Sequence, residues 1–303
     1  MSPALPDKPA PDPPLAPGLY LVATPIGNLE DITIRALRVL RSADRIACED
    51  TRQTAKLLHH FGIRTPTVSY HLHNETARAE EFLEALKAGA RIAIVSDAGT
   101  PGIADPGVAI VAAAIAANIA VYPIPGANAA LSALIASGLS TEAFTFHGFL
   151  PSKEGQRRSV LEHLRDQLRS APSDDGAPTQ IFYETPHRIL GALADIAATF
   201  GPTHRIVLAR ELTKLHEEFL RGTAAELLAT IEQRSSLRGE IVLLLDGTLT
   251  TANSAQPNGQ SLADEVSTLI RSGLSEKDAL KQVAKSHGLG KSEAYREWQR
   301  TKR

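Results

Sequence analysis

Short apolar runs alternate with helical repeats along the first half of the chain. Runs rich in β-branched residues predict strands over residues 19–23, 45–48, 92–95 and 120–124. Between them, apolar positions recur at helical spacing and predict helices over 33–41, 52–60, 75–87 and 108–117. Strands that alternate with helices are typical of a parallel sheet covered by helices. The pattern therefore predicts an α/β fold.

A second block of the same kind follows. It has predicted strands over 144–147, 180–183, 205–209 and 240–245, and predicted helices over 156–168, 187–200 and 223–234. The polar stretch 171–178 indicates a surface loop, and 247–260 has the composition of a linker. We therefore expect one α/β domain over 18–142, a second over 143–248, and a linker over 249–260.

The two ends of the chain differ in character from these blocks. Residues 1–17 contain seven prolines, which predicts an extended, disordered tail. Residues 261–303 predict helices with a turn at 287–290, a spacing that suits a helix-turn-helix module. This segment has nine Lys and Arg against six Asp and Glu, which favours contact with nucleic acid. A helical hairpin that only packs on the rest of the protein fits the same pattern.

Composition narrows the possible classes of protein. A chain of 303 residues with 43% hydrophobic content can bury the cores of two domains. A net charge of −2 argues against coating nucleic acid by overall charge, and leaves room for a local basic patch. The single cysteine, Cys48, excludes an internal disulfide framework and a cysteine-based zinc site. Since no run has the length of a membrane span or a secretory signal, we expect a cytoplasmic protein.

Loops rich in glycine and proline follow the predicted strands, and the longest is 96–107. Such loops let a ligand approach the backbone closely, at the strand ends where α/β sheets bind ligands. The first loop, 24–28, lacks the glycine pattern of a dinucleotide site, and 290–292 lacks the earlier glycine and preceding strand of a phosphate-binding loop. The histidines lack metal-ligand spacing, and no Gly-x-Ser-x-Gly elbow occurs. Loops with few fixed charges suit a purine and ribose, or a cofactor with its own charges, better than a triphosphate.

Six short motifs occur in order between residues 18 and 247. They are VATPIGNLED at 22–31, CEDTR at 48–52, SDAGTPG at 96–102, PGA at 125–127, FYE at 182–184 and ARELTK at 209–214. Together they resemble the tetrapyrrole-methylase-like, class III methyltransferases, and within them the 16S rRNA cytidine 2'-O-methyltransferases. The C-terminal segment is similar to the helix-turn-helix extension of that family. Some tetrapyrrole methylases have alternating glycines in the first loop, which are absent here, and their Gly-Gly-Asp-Pro loop corresponds to the longer segment 96–107. These differences favour the rRNA branch over porphyrin chemistry.

The resemblance implies a two-domain fold, S-adenosylmethionine in the cleft between the domains, and a homodimer. It implies that the partner is 16S rRNA or the small ribosomal subunit, and that the protein does not associate with a membrane. The residues that it places around the cofactor are Pro25, Asp97, Ala98, Gly99, Ile103, Ala127, Asn128, Ala129, Tyr183, Glu184 and Arg210.

A ribose hydroxyl is a poor nucleophile until a group accepts its proton. The candidates are Glu49 and Asp50 directly after a strand, and Lys214 or Glu211 in the second domain. The same residues also fit a structural role. In that case Glu49 and Asp50 cap the next helix, and Arg52 is their local ion-pair partner.

Basic side chains are candidates for contact with the RNA backbone. Arg52 and Arg210 can hold phosphate through paired hydrogen bonds. The other candidates for RNA binding are Lys153, Arg157, Arg158 and Lys291. The cluster at 153–158 also fits one solvated helix face.

Two other functions fit the same sequence. One is a small-molecule methyltransferase of the same fold that acts on a tetrapyrrole-like ring. The other is a non-catalytic ribosome-assembly or nucleic-acid-binding factor that keeps the fold without the activity. Cofactor binding separates the enzymes from the binding factor.

Overall fold

A computed structural model describes residues 14–71, 75–170, 177–249, 262–271 and 274–286, together with Tyr295 and Trp298. The described residues up to Leu249 form one compact unit, and those after it form a second. The first unit contains two five-stranded sheets. None of the helices in the described parts of the chain could span a lipid bilayer.

The first sheet is parallel, as the sequence predicted. Its strand order is β3-β2-β4-β1-β5. The strands are β1 (Gly18–Val22), β2 (Arg45–Cys48), β3 (Thr67–Ser69), β4 (Arg91–Val95) and β5 (Val121–Ile124). Strand β3 was not predicted, because it has only three residues and none of them is fully buried. The loops after β1, β2, β4 and β5 all leave the same edge of this sheet.

Four helices cover the two faces of the first sheet. They are α1 (Ile34–Ser42), α2 (Thr51–His60), α3 (Glu75–Lys87) and α4 (Val108–Ala116). Alternate strand residues point to opposite faces, so Tyr20 packs with α1 and α2 while Leu19 packs with α3 and α4. Thr33 caps α1 and Asp50 caps α2, each accepting a hydrogen bond from a backbone N–H in the first turn. The capped start of α2 fixes the chain directly after β2.

The second sheet is mixed, in the order β6-β7-β10-β8-β9, with a parallel pair at β6 and β7. The strands are β6 (Phe144–Phe149), β7 (Thr179–Glu184), β8 (Arg205–Arg210), β9 (Glu218–Thr223) and β10 (Ile241–Leu245). Strand β9 was not predicted, because its residues are mostly half-buried and Arg221 and Gly222 interrupt the apolar pattern. Helices α6 (Glu154–Ser170), α7 (Ile189–Phe200) and α8 (Ala224–Glu232) cover one face.

Helix α5 (Ala129–Ser137) covers the other face of the second sheet. Its Ala133 and Leu134 pack with Ile181 and Leu244 of that sheet. The helix was not predicted, and the boundary expected near residue 142 would group it with the first sheet. Since α5 starts directly after the loop that follows β5, it brings the loop edge of the first sheet against the second sheet.

The ends of the chain are described in part. Leu15 is buried in the core of the first sheet, and the carbonyl of Ala16 accepts a 2.6 Å hydrogen bond from the Tyr20 hydroxyl. The predicted disorder is therefore wrong for residues 14–17. Residues 1–13, 171–176 and 250–261 lie outside the described residues, as do the predicted turn at 287–290 and Lys291.

The C-terminal unit contains α9 (Leu262–Arg271) and α10 (Glu276–Ser286). The two helices pack together around Val266, Ala279 and Val283, with Trp298 in the same cluster. The Trp298 ring N–H donates a 3.1 Å hydrogen bond to Glu276.

Candidate active site

A pocket of about 420 Å³ lies between the loops of the first sheet and the second sheet. The loops of the first sheet contribute Ile26, Glu49, Asp97, Ala98, Gly99, Thr100, Ile103, Ala104, Asp105, Asn128 and Ala129. The second half of the chain contributes Phe149, Tyr183, Glu184, Thr185, Pro186, Leu212, Gly239, Glu240, Ile241 and Val242. Five of these side chains are carboxylates, and none of the described lining residues is Lys, Arg or His. We call this the carboxylate pocket.

The loop after β4 is held in a conformation that ordinary residues seldom adopt. Gly99 and Gly102 have φ angles of 78° and 82°, and Ala104, at 62°, lies in the same left-handed region. Thr24 and Gly99 exchange backbone hydrogen bonds of 2.9 and 3.0 Å, and this pair ties the loop to the one after β1. The Ser96 hydroxyl donates to the backbone carbonyl of Gly99 at 3.3 Å. These contacts present residues 97–100 to the pocket.

Burial and mutual repulsion raise the pKa values of carboxylates in the pocket. Burial, with repulsion from Glu49 and Asp97, raises the pKa of Asp105 to about 6, although a hydrogen bond with Ser96 works in the other direction. Burial and the charge of Asp97 also raise the pKa of Glu49. Within the described residues, no group of three or more His, Cys, Asp or Glu is placed to hold a metal ion. The pocket is electrostatically suited to a ligand that carries positive charge.

Glu184 supplies an unsatisfied acceptor in the wall of the carboxylate pocket. It is 2% exposed, and its Oε1 accepts a 2.8 Å hydrogen bond from the Thr185 N–H and pairs with Arg188 at 3.2 Å. Its Oε2 is buried and has no hydrogen-bond partner among the described residues. Burial raises the pKa of this carboxyl. The Glu184 side chain has no exposed surface, so it supports the wall of the pocket from inside the protein.

Replacing Asp105 by asparagine is expected to stabilise the protein at neutral pH. The pKa of Asp105 is raised from 3.8 to about 6, so its contribution to stability is complete below pH 3.8 and is lost as the pH rises through about 6. Asparagine cannot ionise and avoids this loss. The melting temperature should rise by roughly 2–4 °C at about pH 7.5 and stay unchanged near pH 4, as measured by calorimetry. An equal rise at both pH values would contradict the assignment.

A second pocket, of about 450 Å³, adjoins the first. It is lined by Thr24, Pro25, Ile26, Gly27, Leu29, Gln53, Lys56, Leu57, His60, Asp97, Ala98, Lys214 and Glu240. Four of these residues, Ile26, Asp97, Ala98 and Glu240, also line the carboxylate pocket. We call this the α2 pocket, because α2 contributes four of its side chains. The two pockets therefore adjoin at these four residues.

Most residues expected around a cofactor line the carboxylate pocket. They are Asp97, Ala98, Gly99, Ile103, Asn128, Ala129, Tyr183 and Glu184. Pro25 lines the α2 pocket instead, and Ala127 lies behind the wall, where its carbonyl accepts a 3.2 Å hydrogen bond from Thr100. Arg210 lines neither pocket, because Glu218 holds its guanidinium at 3.1 Å and the Arg238 carbonyl accepts a further hydrogen bond. The expected cofactor contact therefore does not fit Arg210.

The structure separates the candidate proton acceptors. The Asp50 carboxylate accepts from the backbone N–H of Arg52 at 2.8 Å and pairs with its guanidinium at 3.0 Å, so the capping alternative describes these two residues. Partial burial works to lower the pKa of Lys214, but hydrogen bonds to Glu211 and Glu240 raise it. A protonated ammonium cannot accept a proton, so Lys214 does not fit this role. Glu49 lines the carboxylate pocket and fits it.

The residues expected to bind RNA differ in exposure. The Arg157 side chain is 8% exposed and lies 2.7 Å from the buried carboxylate of Asp195, so the expected RNA contact is wrong for Arg157. Arg158 is half exposed and pairs with Asp195 and with Glu154, each at 2.7 Å. Lys153 is exposed, and the Arg52 side chain is 88% exposed. These two remain accessible to a polyanion.

Several lining residues of the carboxylate pocket were not predicted from the sequence. Asp105 is one, although it lies in the loop 96–107 and is followed by a proline. Residues 239–242 are others, and they carry no motif. They reach the pocket because β10 pairs with β7 and β8, which places Ile241 opposite Glu184. No local pattern in the sequence predicts a pairing between segments so far apart in the chain.

Comparison with known proteins decides the family. Residues 18–228 match the profile of the family described as Tetrapyrrole (Corrin/Porphyrin) Methylases. The chain belongs to this family. It is 47% identical over 279 residues to a Halalkalibacterium halodurans protein, covering 91% of the chain and 93% of that relative. A Bacillus subtilis relative is 42% identical, with coverage of 91% and 92%. Both relatives are named ribosomal RNA small subunit methyltransferase I, and the chain is a methyltransferase of the same group.

Solved structures of tetrapyrrole-methylase type share the fold. A diphthine synthase aligns with a TM-score of 0.59 at 16% identity, over 76% of this chain and 90% of its own. The methyltransferase CobJ aligns with a TM-score of 0.55 at 19% identity, over 80% of this chain and 97% of its own. The two-sheet architecture described above is therefore that of the family.

Proposed function

We propose that this methyltransferase transfers a methyl group from S-adenosylmethionine to the 2'-oxygen of a cytidine in 16S rRNA. The observation that carries the proposal is the carboxylate pocket, a cavity lined by five carboxylates where loops of the first sheet meet the second sheet. The names of the relatives, ribosomal RNA small subunit methyltransferase I, support rRNA as the substrate. The cytidine and its 2'-oxygen follow from the resemblance of the six motifs.

The residues of the carboxylate pocket fit S-adenosylmethionine. Its volume of about 420 Å³ falls within the range of small-molecule sites. Glu184 and Glu240 already pair with Arg188 and Lys214, but Glu49, Asp97 and Asp105 suit the sulfonium and ammonium charges of this cofactor. Ile103, Phe149 and Val242 supply apolar surface for the purine.

When bound, S-adenosylmethionine supplies an activated methyl group. The chain must hold the acceptor hydroxyl in line with that methyl group, exclude water, and accept the proton. Held in the carboxylate pocket, the cofactor would supply the methyl group for the bond to the ribose 2'-oxygen, and its sulfur would leave with the electron pair of the carbon–sulfur bond. The hydroxyl proton passes to the Glu49 carboxylate. The raised pKa of Glu49 makes it a better proton acceptor than an ordinary glutamate.

We propose that basic surface outside the pockets contributes affinity for the RNA backbone. Lys153 and Arg52 are exposed, and Lys291 belongs to the basic C-terminal segment. Such contacts give affinity without reading sequence. Specificity then comes from a cytidine that leaves its stack to enter the cleft, as in other enzymes that modify single nucleotides.

We further propose a cytoplasmic homodimer with domains over 18–142 and 143–248. Exposed apolar side chains support a homodimer: Leu131 and Ile135 on α5, and Phe144 and Phe149 on β6. Large apolar side chains at the surface favour contact with another protein surface. The separate sheets support the division into two domains, with α5 as the element that joins them.

The direct test is methyl transfer with purified components. The protein is incubated with isotope-labelled S-adenosylmethionine and either free 16S rRNA or small ribosomal subunits from cells that lack the gene. Nucleoside mass spectrometry should find the label in 2'-O-methylcytidine. Label in a different nucleoside, or only in an added tetrapyrrole, would contradict the proposal. Comparison of the two RNA substrates identifies which one the enzyme prefers.

A further inference from the structure

The α2 pocket differs in charge from the carboxylate pocket beside it. Gln53, Lys56, Leu57 and His60 line it, and their spacing of three, four and seven residues places them on one face of α2. The opposite side is formed by the loop after β1 and by Lys214. Cationic and amide groups therefore face a cavity whose other walls include the apolar side chains of Pro25 and Leu29 and the carboxylates of Asp97 and Glu240.

Lys56 is the basic residue of this pocket whose charge is least compensated. Lys214 donates to Glu211 at 2.7 Å and to Glu240 at 3.0 Å, so two carboxylates offset its charge. The ammonium of Lys56 instead donates a 2.9 Å hydrogen bond to the neutral amide of Gln53. Lys56 is exposed at the mouth of the pocket. It can therefore pair with an incoming anion without first losing an ionic partner.

We propose that the α2 pocket holds the acceptor nucleotide of the RNA strand, with Lys56 bound to a backbone phosphate. The inference rests on the proposed function and assigns a place to its substrate. Because Asp97 and Ala98 line both pockets, the pockets adjoin, and a nucleotide whose phosphate lies at Lys56 can extend its ribose past these residues toward the cofactor and Glu49. Glu49 and Asp105 line the carboxylate pocket and not the α2 pocket, and they repel phosphate, so the phosphate takes the Lys56 side.

The apolar and amide groups complete a nucleotide site. Leu29, Leu57 and Pro25 offer surface to a ribose or base face. The Gln53 amide can donate and accept hydrogen bonds, which suits the edge of a base. The site therefore fits a nucleotide unit within a strand better than a free phosphate ion.

The test compares Lys56→Ala with Lys87→Ala as a matched control. Both lysines are exposed on a helix and donate to a side chain three residues earlier, Lys56 to Gln53 at 2.9 Å and Lys87 to Glu84 at 2.8 Å. Lys87 ends α3 just before β4 begins, at the sheet edge opposite the pockets, and it lines neither pocket. Lys56→Arg keeps the charge and serves as the rescue variant.

RNA affinity is measured against salt concentration, together with the KM for RNA, kcat and the Kd for S-adenosylmethionine. Lys56→Ala should reduce the salt slope by roughly 0.7, the value for one phosphate contact on a single strand. It should raise the KM for RNA roughly fivefold to tenfold, with kcat and cofactor Kd within about twofold of wild type. Lys87→Ala and Lys56→Arg should match the wild-type salt slope.

Equal salt slopes and equal KM values for Lys56→Ala and Lys87→Ala would overturn the inference, even if the wild type methylates RNA. A loss of cofactor affinity in Lys56→Ala would also overturn it, because the α2 pocket would then serve the cofactor. If the wild type transfers no methyl group to RNA, the proposed function fails. The salt slopes still decide the RNA site in that case, since binding does not require turnover.

Discussion

Asp97→Ala is expected to lower the affinity for S-adenosylmethionine and to abolish detectable methyl transfer. Asp97 lines both pockets, and its Oδ1 accepts a 3.0 Å hydrogen bond from the backbone N–H of Asp50. The substitution removes a carboxylate that lines both pockets and releases the start of α2 from the loop after β4. Loss of a hydrogen bond to a charged group costs about 1.5–3 kcal/mol, so the Kd should rise roughly tenfold to a hundredfold. Isothermal calorimetry measures this Kd.

Two further variants separate charge from loop geometry. Asp97→Asn keeps the oxygen that accepts from Asp50 and removes only the charge, so a similar loss of affinity would assign the effect to charge. Asp44→Ala is the matched control, because Asp44 accepts a 2.7 Å hydrogen bond from the Arg91 N–H at the opposite edge of the sheet. It should leave the cofactor Kd unchanged. Wild-type affinity in Asp97→Ala would exclude Asp97 from the cofactor site.

Glu49→Gln should lower kcat roughly a hundredfold to ten-thousandfold, the usual contribution of a general base. The amide matches the carboxylate in size but cannot accept the hydroxyl proton. Single-turnover methyl transfer to RNA measures the chemical step, and calorimetry should show a cofactor Kd within a few-fold of wild type. A fall in cofactor affinity without a fall in the single-turnover rate would contradict the role of Glu49 as proton acceptor.

Asp50→Asn is the matched control for Glu49→Gln. Asp50 is the neighbouring carboxylate, and asparagine caps a helix about as well as aspartate does. Its rate should stay close to that of the wild type. The pH profile adds a second readout, because burial and Asp97 raise the pKa of Glu49. The carboxylate is the active form, so the wild-type rate should rise with pH through that pKa, and Glu49→Gln should lose this rising limb.

The loops of the site could be predicted because local chemistry specifies them. Gly99 and Gly102 adopt left-handed backbone angles, which the glycines in the motif allow, and Asp50 caps α2 from a position that the sequence marks directly after a strand. The parallel first sheet followed from strands and helices that alternate over short links. These features depend on residues that are close together in the chain.

Features that depend on distant segments were not predictable in the same way. The buried position of Arg157 follows from Asp195 on α7, 38 residues away, and nothing near Arg157 indicates that partner. The placement of α5 on the second sheet depends on Ala133 and Leu134 packing with Leu244. In the α2 pocket, Lys214, after β8, lies so close to Gly27 that a Cβ at this position would clash with the lysine side chain. Such contacts depend on the fold of the whole unit.

The proposed methyl transfer is tested most directly by mass spectrometry of nucleosides from 16S rRNA. The rRNA is isolated from cells with the gene, from cells without it, and from the latter complemented with wild type or with Asp97→Ala. We predict that 2'-O-methylcytidine is lost without the gene, restored by the wild type, and not restored by Asp97→Ala. An unchanged level of 2'-O-methylcytidine in cells without the gene would contradict the proposed function.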